Sequence, residues 1–376
     1  MTMPEHKERP IRKPLTWFVL GVVLGVLVGG GVIFAVNQHA PAPPSIGTQT
    51  VPFYGAHQAG IETPAQANAT FVAFDLNAGQ DATDVARLLR TWTNSAAKLT
   101  AGQPIIGDSI GELAENPASM TITFGLGHSL FVKTANEQRW PLAVTALPAF
   151  TVDKLEERWS GGDFIIQVAG DNPLSIFHAV HELTRDAAPY AKLRWQQRGF
   201  LNPAGIDDDK VGRNLMGQVD GIANAAPGTP EFGSRTWSQT PSTLVGGSVM
   251  VVRRIQMNLG TWDKLGAGNK ELIIGREHSD GSPITGGEQG DALNLNATNE
   301  QGAPVIPQKA HGRLAFAEED MKITRRGYNY DDGLLVSGVQ DAGLIFASFQ
   351  ADAERFIAIQ RALDGVDELN RWTTPV

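Results

Sequence analysis

Two well-separated blocks of this chain hold side chains that can move protons or bind a metal. "GQVDGIAN" (217–224) sets Asp220 between Gly217 and Gly221. An Asp-Gly pair is a common turn former, because Asp bonds its own backbone and Gly supplies positive φ. The same frame also presents a carboxylate for acid–base work. The second block, "HGRLAFAEEDMKITRRGYNYDDG" (311–333), opens on a single imidazole and carries Arg325, Arg326, Tyr328 and Tyr330. A neutral imidazole binds haem iron axially and needs no second protein ligand nearby. The plainer alternative for His311 is a satisfied surface histidine. His178 and His181 lie three apart on an expected helix, where both could face one metal. No third ligand stands at a matching spacing and the flanks are amphipathic, which favours a structural role for the pair.

Other chemistries lack their parts. The chain has no cysteine, so thiolate nucleophiles, disulfides, zinc–thiolate sites and iron–sulfur clusters are excluded. There is no G-x-S-x-G elbow for a serine hydrolase, and "GHSLF" around Ser129 does not supply one. Neither a P-loop nor a strand-linked G-x-G-x-x-G is present for nucleotides. The formal charge is −9. Without residues 1–44 there remain 27 Lys and Arg against 38 Asp and Glu, a balance of −11. A surface of that sign repels phosphate backbones, so nucleic acid is not an expected partner.

The elements that must position these residues alternate between strand and helix. "TFVAFDL" (70–76), "DFIIQVAG" (163–170) and "GLIFASFQ" (343–350) read as apolar strands. "MTITFGLG" (120–127) and "SVMVVRRIQMNL" (248–259) alternate like partly exposed ones. Val85, Leu88, Leu89 and Trp92 mark a helix after the first strand. Asn172 and Pro173 cap one after the second, and Phe356, Ile359, Leu363 and Val366 mark one near the end. Residues 265–310, rich in Gly, Asn and Asp, read as long loops. The pattern predicts an α+β fold of antiparallel sheets with covering helices. Similar order at both ends suggests two related halves, 49–210 and 211–376.

Residues 1–48 form a different segment. "TWFVLGVVLGVLVGGGVIFAV" (16–36) carries no charge, and at about 1.5 Å per helical residue it reaches across a hydrocarbon core of about 30 Å. The basic stretch before it favours a cytoplasmic N-terminus, and "NQHAPAPPSIG" follows as a Pro-rich tether. Either as an uncleaved transmembrane anchor or as a signal segment, it predicts that the remainder lies outside the cytoplasmic membrane, periplasmic or extracytoplasmic.

Five blocks, in order and with fitting spacing from about residue 49 to the end, resemble the dye-decolorizing peroxidases. They are "ITFGLGHSLF", "WSGGDFIIQVAGDNP", "NLMGQVDGIAN", "HGRLAF" with "ITRRGYNYDDG", and "GLIFASFQ". "VPFYGAHQAGIETPAQANATFVAFDL" is similar to the start of the mature part of the deferrochelatase/peroxidase branch of that family.

The resemblance implies two ferredoxin-like halves, dimeric α+β barrel-like, with haem b held mainly by the second. It implies hydrogen peroxide and an organic reductant as substrates. It further implies Asp220 as the distal acid, Arg325 rather than Arg326 as the distal arginine, and His311 as proximal iron ligand. Gly217 and Gly221 would then let backbone approach the porphyrin. Leu344 and Phe346, two apart on a strand, would line the distal side or simply pack the core. Arg276, in "IIGREHSDGSPITGG", would meet a haem propionate or stand as a solvated loop charge. Trp195, Tyr328 and Tyr330 are candidate relays for substrates too large to enter. The branch brings an alternative role, haem-iron release for an iron-uptake system, and the family brings homo-oligomers. Two features depart from the pattern. Gly312 and Phe316 stand where the family more often has a β-branched and a polar residue, and "RPIRKPLTWF" offers only Arg12-Lys13 in place of a twin arginine.

Overall fold

The first strand, β1 (Asn68–Leu76), is apolar along nearly its whole length because both of its faces are covered. Val72, Phe74 and Leu76 face one core, while Ala69 and Phe71 face another. This computed structural model describes residues 47–141, 143–202, 212–239, 244–316 and 321–376. The apolar segment 16–36 and the expected boundary at 210/211 lie outside those residues. Among the described residues no helix is long and apolar enough to cross a membrane.

After β1 come α1 (Ala82–Leu99), β2 (Thr121–Leu126), the short α2 (His128–Lys133), β3 (Phe164–Gly170), α3 (Pro173–Ala187) and β4 (Ala191–Phe200). Asp81 and Asp84 close a capping box at the start of α1, and Asn172 caps α3 ahead of Pro173. The α1 residues Val85, Leu88, Trp92, Ala96 and Leu99 recur at helical spacing and are buried against the outer face of this sheet. The Trp92 indole donates to Leu183 O at 2.9 Å, tying α1 to α3. The strands run antiparallel in the order β2-β3-β1-β4.

The second half continues with α4 (Pro230–Thr236), β5 (Val249–Met257), α5 (Leu259–Trp262), α6 (Ala267–Ile274), α7 (His311–Phe316), β6 (Thr324–Arg325), β7 (Tyr328–Leu334), β8 (Gln340–Gln350), α8 (Ala353–Leu363) and β9 (Thr373–Pro375). Its main strands lie in the order β7-β8-β5-β9, also antiparallel. Counted within each half, both orders are 2-3-1-4, the ferredoxin-like arrangement. One residue pair, Phe200 with Asn329, joins the two strand systems. Their inner faces pack on each other through Phe71, Tyr328, Tyr330, Ile345 and Ala347.

Two expectations need correction. Residues 267–274, read as loop, form α6. The final helix stops at Leu363, because Gly365 takes φ +69°, and Val366 lies beyond it and is exposed.

Candidate active site

Strand alternation sends neighbouring arginines to opposite sides. Arg326 turns inward, where its buried guanidinium donates to the carbonyls of Thr63 and Pro64 and to Gln66 Oε1. Arg325 turns the other way and forms an ion pair with Asp220. Both members of that pair stay partly open, at 32% and 23% side-chain exposure.

Asp220 closes a tight loop. Arg213 and Val219 form an antiparallel bridge, Asn214 N–H donates to Gln218 O, and Asp220 N–H reaches Gly212 O at 2.9 Å. Gly217 and Gly221 take φ of +79° and +92°, so the turn needs glycine at both positions. Gly217 has a second reason: a Cβ there would stand 2.8 Å from the His278 ring. The loop is anchored from below by the buried Trp262 indole, which donates to Met216 O at 2.9 Å. From the side, Arg213 donates to the carbonyls of Gly217 and His278. Asn224 then joins the loop to β6. Its Oδ1 accepts from Arg325 N–H at 2.9 Å and its Nδ2 donates to Arg325 O at 2.7 Å.

His311 opens α7. Its Nδ1 lies 2.7 Å from Asp367 Oδ2, on a carboxylate only 3% exposed. Asp367 is fixed in turn by Leu369 N–H at its other oxygen, and Glu368 N–H donates to Lys309 O, which seats this turn beside the histidine. Nε2 of His311 has no hydrogen-bond partner among the described residues. Gly312, unusual at this place, has a physical reason. A Cβ there would lie 2.7 Å from both Ile274 O and Leu293 Cδ1, so its absence lets α7 lie against the end of α6.

One apolar cluster borders both groups. It takes in Leu215 and Met216 at the root of the Asp220 loop, Leu344 and Phe346 on β8, Ile274 at the end of α6, and Leu369 two residues past Asp367. Phe346 and Ile255 lie on inner strands and yet remain partly exposed. A part-open apolar floor, an imidazole with one free nitrogen and a carboxylate–guanidinium pair form a set that fits a flat iron-bearing macrocycle.

The other expected residues fall elsewhere. Arg276 donates to the carbonyls of Gly281, Gln289 and Asp291, so it pins its own loop. Burial draws its guanidinium below the usual value, with the nearby Asp291 opposing. Tyr328 and Tyr330 are fully buried between the sheets and offer no surface to a substrate, whereas Trp195 is part-exposed and donates to Gly161 O. His178 does not share a site with His181. It bonds Asp108 at 2.9 Å, and, against the expectation that no third group stands at a matching spacing, Glu182 one helical turn on gathers with them, its charge balanced by Arg185, while His181 stacks on Phe177. Sequence reasoning missed Asp367 and the role of Asn224. Asp367 carried only a helix-cap signal, and it lies 56 residues from its partner.

The fold and these side chains define an α+β protein built to hold a metal macrocycle beside an acid–arginine pair. The sequence pattern of the Dyp-type peroxidase N-terminal domain matches residues 58–201, and that of the C-terminal domain matches residues 211–376. A dye-decolorizing peroxidase of Thermobifida fusca is 38% identical, over 99% of this chain and 94% of its own. A deferrochelatase of Yersinia pseudotuberculosis is 31% identical, over 95% and 88%. Among solved structures, the DyP-type peroxidase of Cellulomonas bogoriensis is 42% identical with TM-score 0.84, over 89% of this chain and 93% of that one. Ferric DtpA of Streptomyces lividans is 39% identical with TM-score 0.85, over the same shares. The chain belongs to the Dyp-type peroxidases. It is an enzyme, and its cofactor is haem.

Proposed function

We propose that His311, Asp220 and Arg325 divide the work of this haem peroxidase among them. Haem, when bound, supplies the iron that takes hydrogen peroxide and accepts its oxidising equivalents, later passed to an organic reductant. His311 would hold the iron through Nε2, since its Nδ1–H is given to Asp367. The anionic partner fixes the tautomer and makes the ring a stronger donor. Asp220 takes a proton from the inner oxygen of peroxide and returns it to the outer one, so one carboxylate serves as base and then acid. The Arg325 guanidinium stabilises negative charge on the departing oxygen. Leu344 and Phe346 line the apolar floor. Arg276 serves the site by holding its loop in shape through the carbonyls of Gly281, Gln289 and Asp291.

The observation that carries this reading is the ion pair between Asp220 and Arg325, 105 residues apart, at the edge of the apolar cluster. The haem-loaded protein should show a Soret band, and Asp220→Asn and Arg325→Leu should each cut peroxide turnover by about a hundredfold or more. Turnover within threefold of wild type in both variants would refute the assignment. A second reading, release of iron from haem for an uptake system, draws on the relatives named deferrochelatase. It requires free protoporphyrin, read by its fluorescence, to appear from haem without added peroxide. From the sequence alone we also infer export, with residues 16–36 as anchor or signal. Fractionation of cells expressing the full chain tests that.

A further inference from the structure

We propose that Asn224 is a positioning residue that sets Arg325 against Asp220. The inference rests on the reading of those two residues given above. Strand β6 is only two residues long and has β8 on one side. In a strand, the N–H and C=O of one residue point to the same side, and those of the next residue to the other. Arg326 N–H goes to Ala347 O on β8, so the peptide groups of Arg325 face away from the sheet. The Asn224 amide meets both of them, accepting from one and donating to the other, as a neighbouring strand would. Asn224 is itself held by its own N–H to Gly221 O at 3.0 Å, and Ala223 O accepts from the buried Arg235 at 2.8 Å. Asn224 lies four positions after Asp220, with three residues between them. The side chain that fixes the Arg325 backbone thus belongs to the same turn that carries the acid. A short amide clamp couples donor and acid, which otherwise sit on separate segments of the chain.

Asn224→Ala removes both bonds. Asn224→Asp keeps the volume and an acceptor for Arg325 N–H, but it loses the donor and sets an oxygen against Arg325 O. Thr236→Val serves as the structural control, because Thr236 holds β6 through Thr324 Oγ1 at 2.7 Å without touching the Arg325 peptide. The measurement is sodium fluoride binding to the ferric, haem-loaded full chain, followed at the Soret band, since a bound anion accepts a hydrogen bond from a nearby guanidinium.

Arg325→Leu should weaken fluoride by roughly thirtyfold and Asn224→Ala by roughly fivefold, with Asn224→Asp also several-fold weaker. Thr236→Val should leave fluoride affinity within twofold while lowering the melting temperature. Hydrogen exchange in the peptide spanning 321–328 should quicken in both Asn224 variants. Steady-state kinetics should show a fall in kcat/KM for peroxide with KM for the reductant unchanged. Fluoride affinity of both Asn224 variants within twofold of wild type, with Arg325→Leu weakened, would overturn the clamp alone. An equal loss in Thr236→Val would reduce it to general loosening and overturn it too. Unchanged affinity in Arg325→Leu would remove the reading of Arg325 on which the clamp depends.

Discussion

Asp367→Asn probes the best-built contact of the site. The carboxylate has two oxygens and two donors: Oδ2 faces His311 Nδ1 at 2.7 Å and Oδ1 faces Leu369 N–H at 2.9 Å. An asparagine of the same shape offers one oxygen and one NH2. Whichever way it turns, one N–H donor meets another at a side chain only 3% exposed. If the oxygen stays with Leu369, the turn survives and His311 loses its partner. A hydrogen bond to a charged group contributes about 1.5–3 kcal/mol. Loss of a carboxylate behind a metal-bound histidine costs about 10- to 100-fold in affinity, which is about 1.4–2.8 kcal/mol. The two routes agree in size. The assay is titration of apoprotein with haem at the Soret band, repeated for His311→Ala and accompanied by urea unfolding of each apoprotein. The expected order of haem affinity is wild type, then Asp367→Asn, then His311→Ala. Haem affinity of Asp367→Asn within twofold of wild type, with His311→Ala weakened, would show that Asp367 does no more than cap its turn. Full affinity in His311→Ala would show that His311 does not hold the iron.

Two further predictions concern the scaffold. Arg326→Leu leaves two carbonyls and the Gln66 amide oxygen without their buried donor, at a cost of about 3 kcal/mol. The urea midpoint should fall while fluoride affinity of the folded, haem-loaded protein stays put; a loss of fluoride binding equal to that of Arg325→Leu would show that the two arginines had been assigned the wrong way round. For Asp108, burial alone would raise the carboxyl, but the bonds from Ile110 N–H and His178 outweigh it and hold it below the ordinary 3.8. A carboxyl lowered on folding contributes stability that is complete well above 3.8 and is lost as pH falls through the lower folded value. The gap in unfolding free energy between wild type and Asp108→Asn should therefore hold above the ordinary 3.8 and narrow as pH falls below it. A gap still at full size near pH 2 would contradict it.

The fold was legible where burial leaves a local trace. β1 and β8 are covered on both faces and read as continuous apolar runs, and α1 announced itself through Val85, Leu88 and Trp92 at helical spacing. β4 escaped notice because "AKLRWQQRGF" mixes charged, amide and aromatic residues, as suits a strand joined to its neighbour β7 by a single pair. α6 escaped because "AGNKELII" carries Gly268 and Asn269 in its first turn and has only Ile273 buried. In such segments tertiary contact outweighs local propensity.

The same division holds within the site, with a difference that bears on mechanism. Asp220, His311 and Arg325 stand in recognisable blocks of the sequence. The choice between Arg325 and Arg326, however, depends on which face of a two-residue strand points to the apolar cluster. The carbonyls of Thr63 and Pro64, more than 260 residues upstream, capture Arg326 and so leave Arg325 for the acid. Asp367 and Asn224 lie on the far side of the same limit, since each acts only through a partner brought to it by the sheet. Hydrogen bonds of this kind have no period and no motif, and they are set by how β6, β8 and the closing turn stack. The N-terminal half, which contributes none of the three chemical groups, therefore helps to decide which arginine faces the acid.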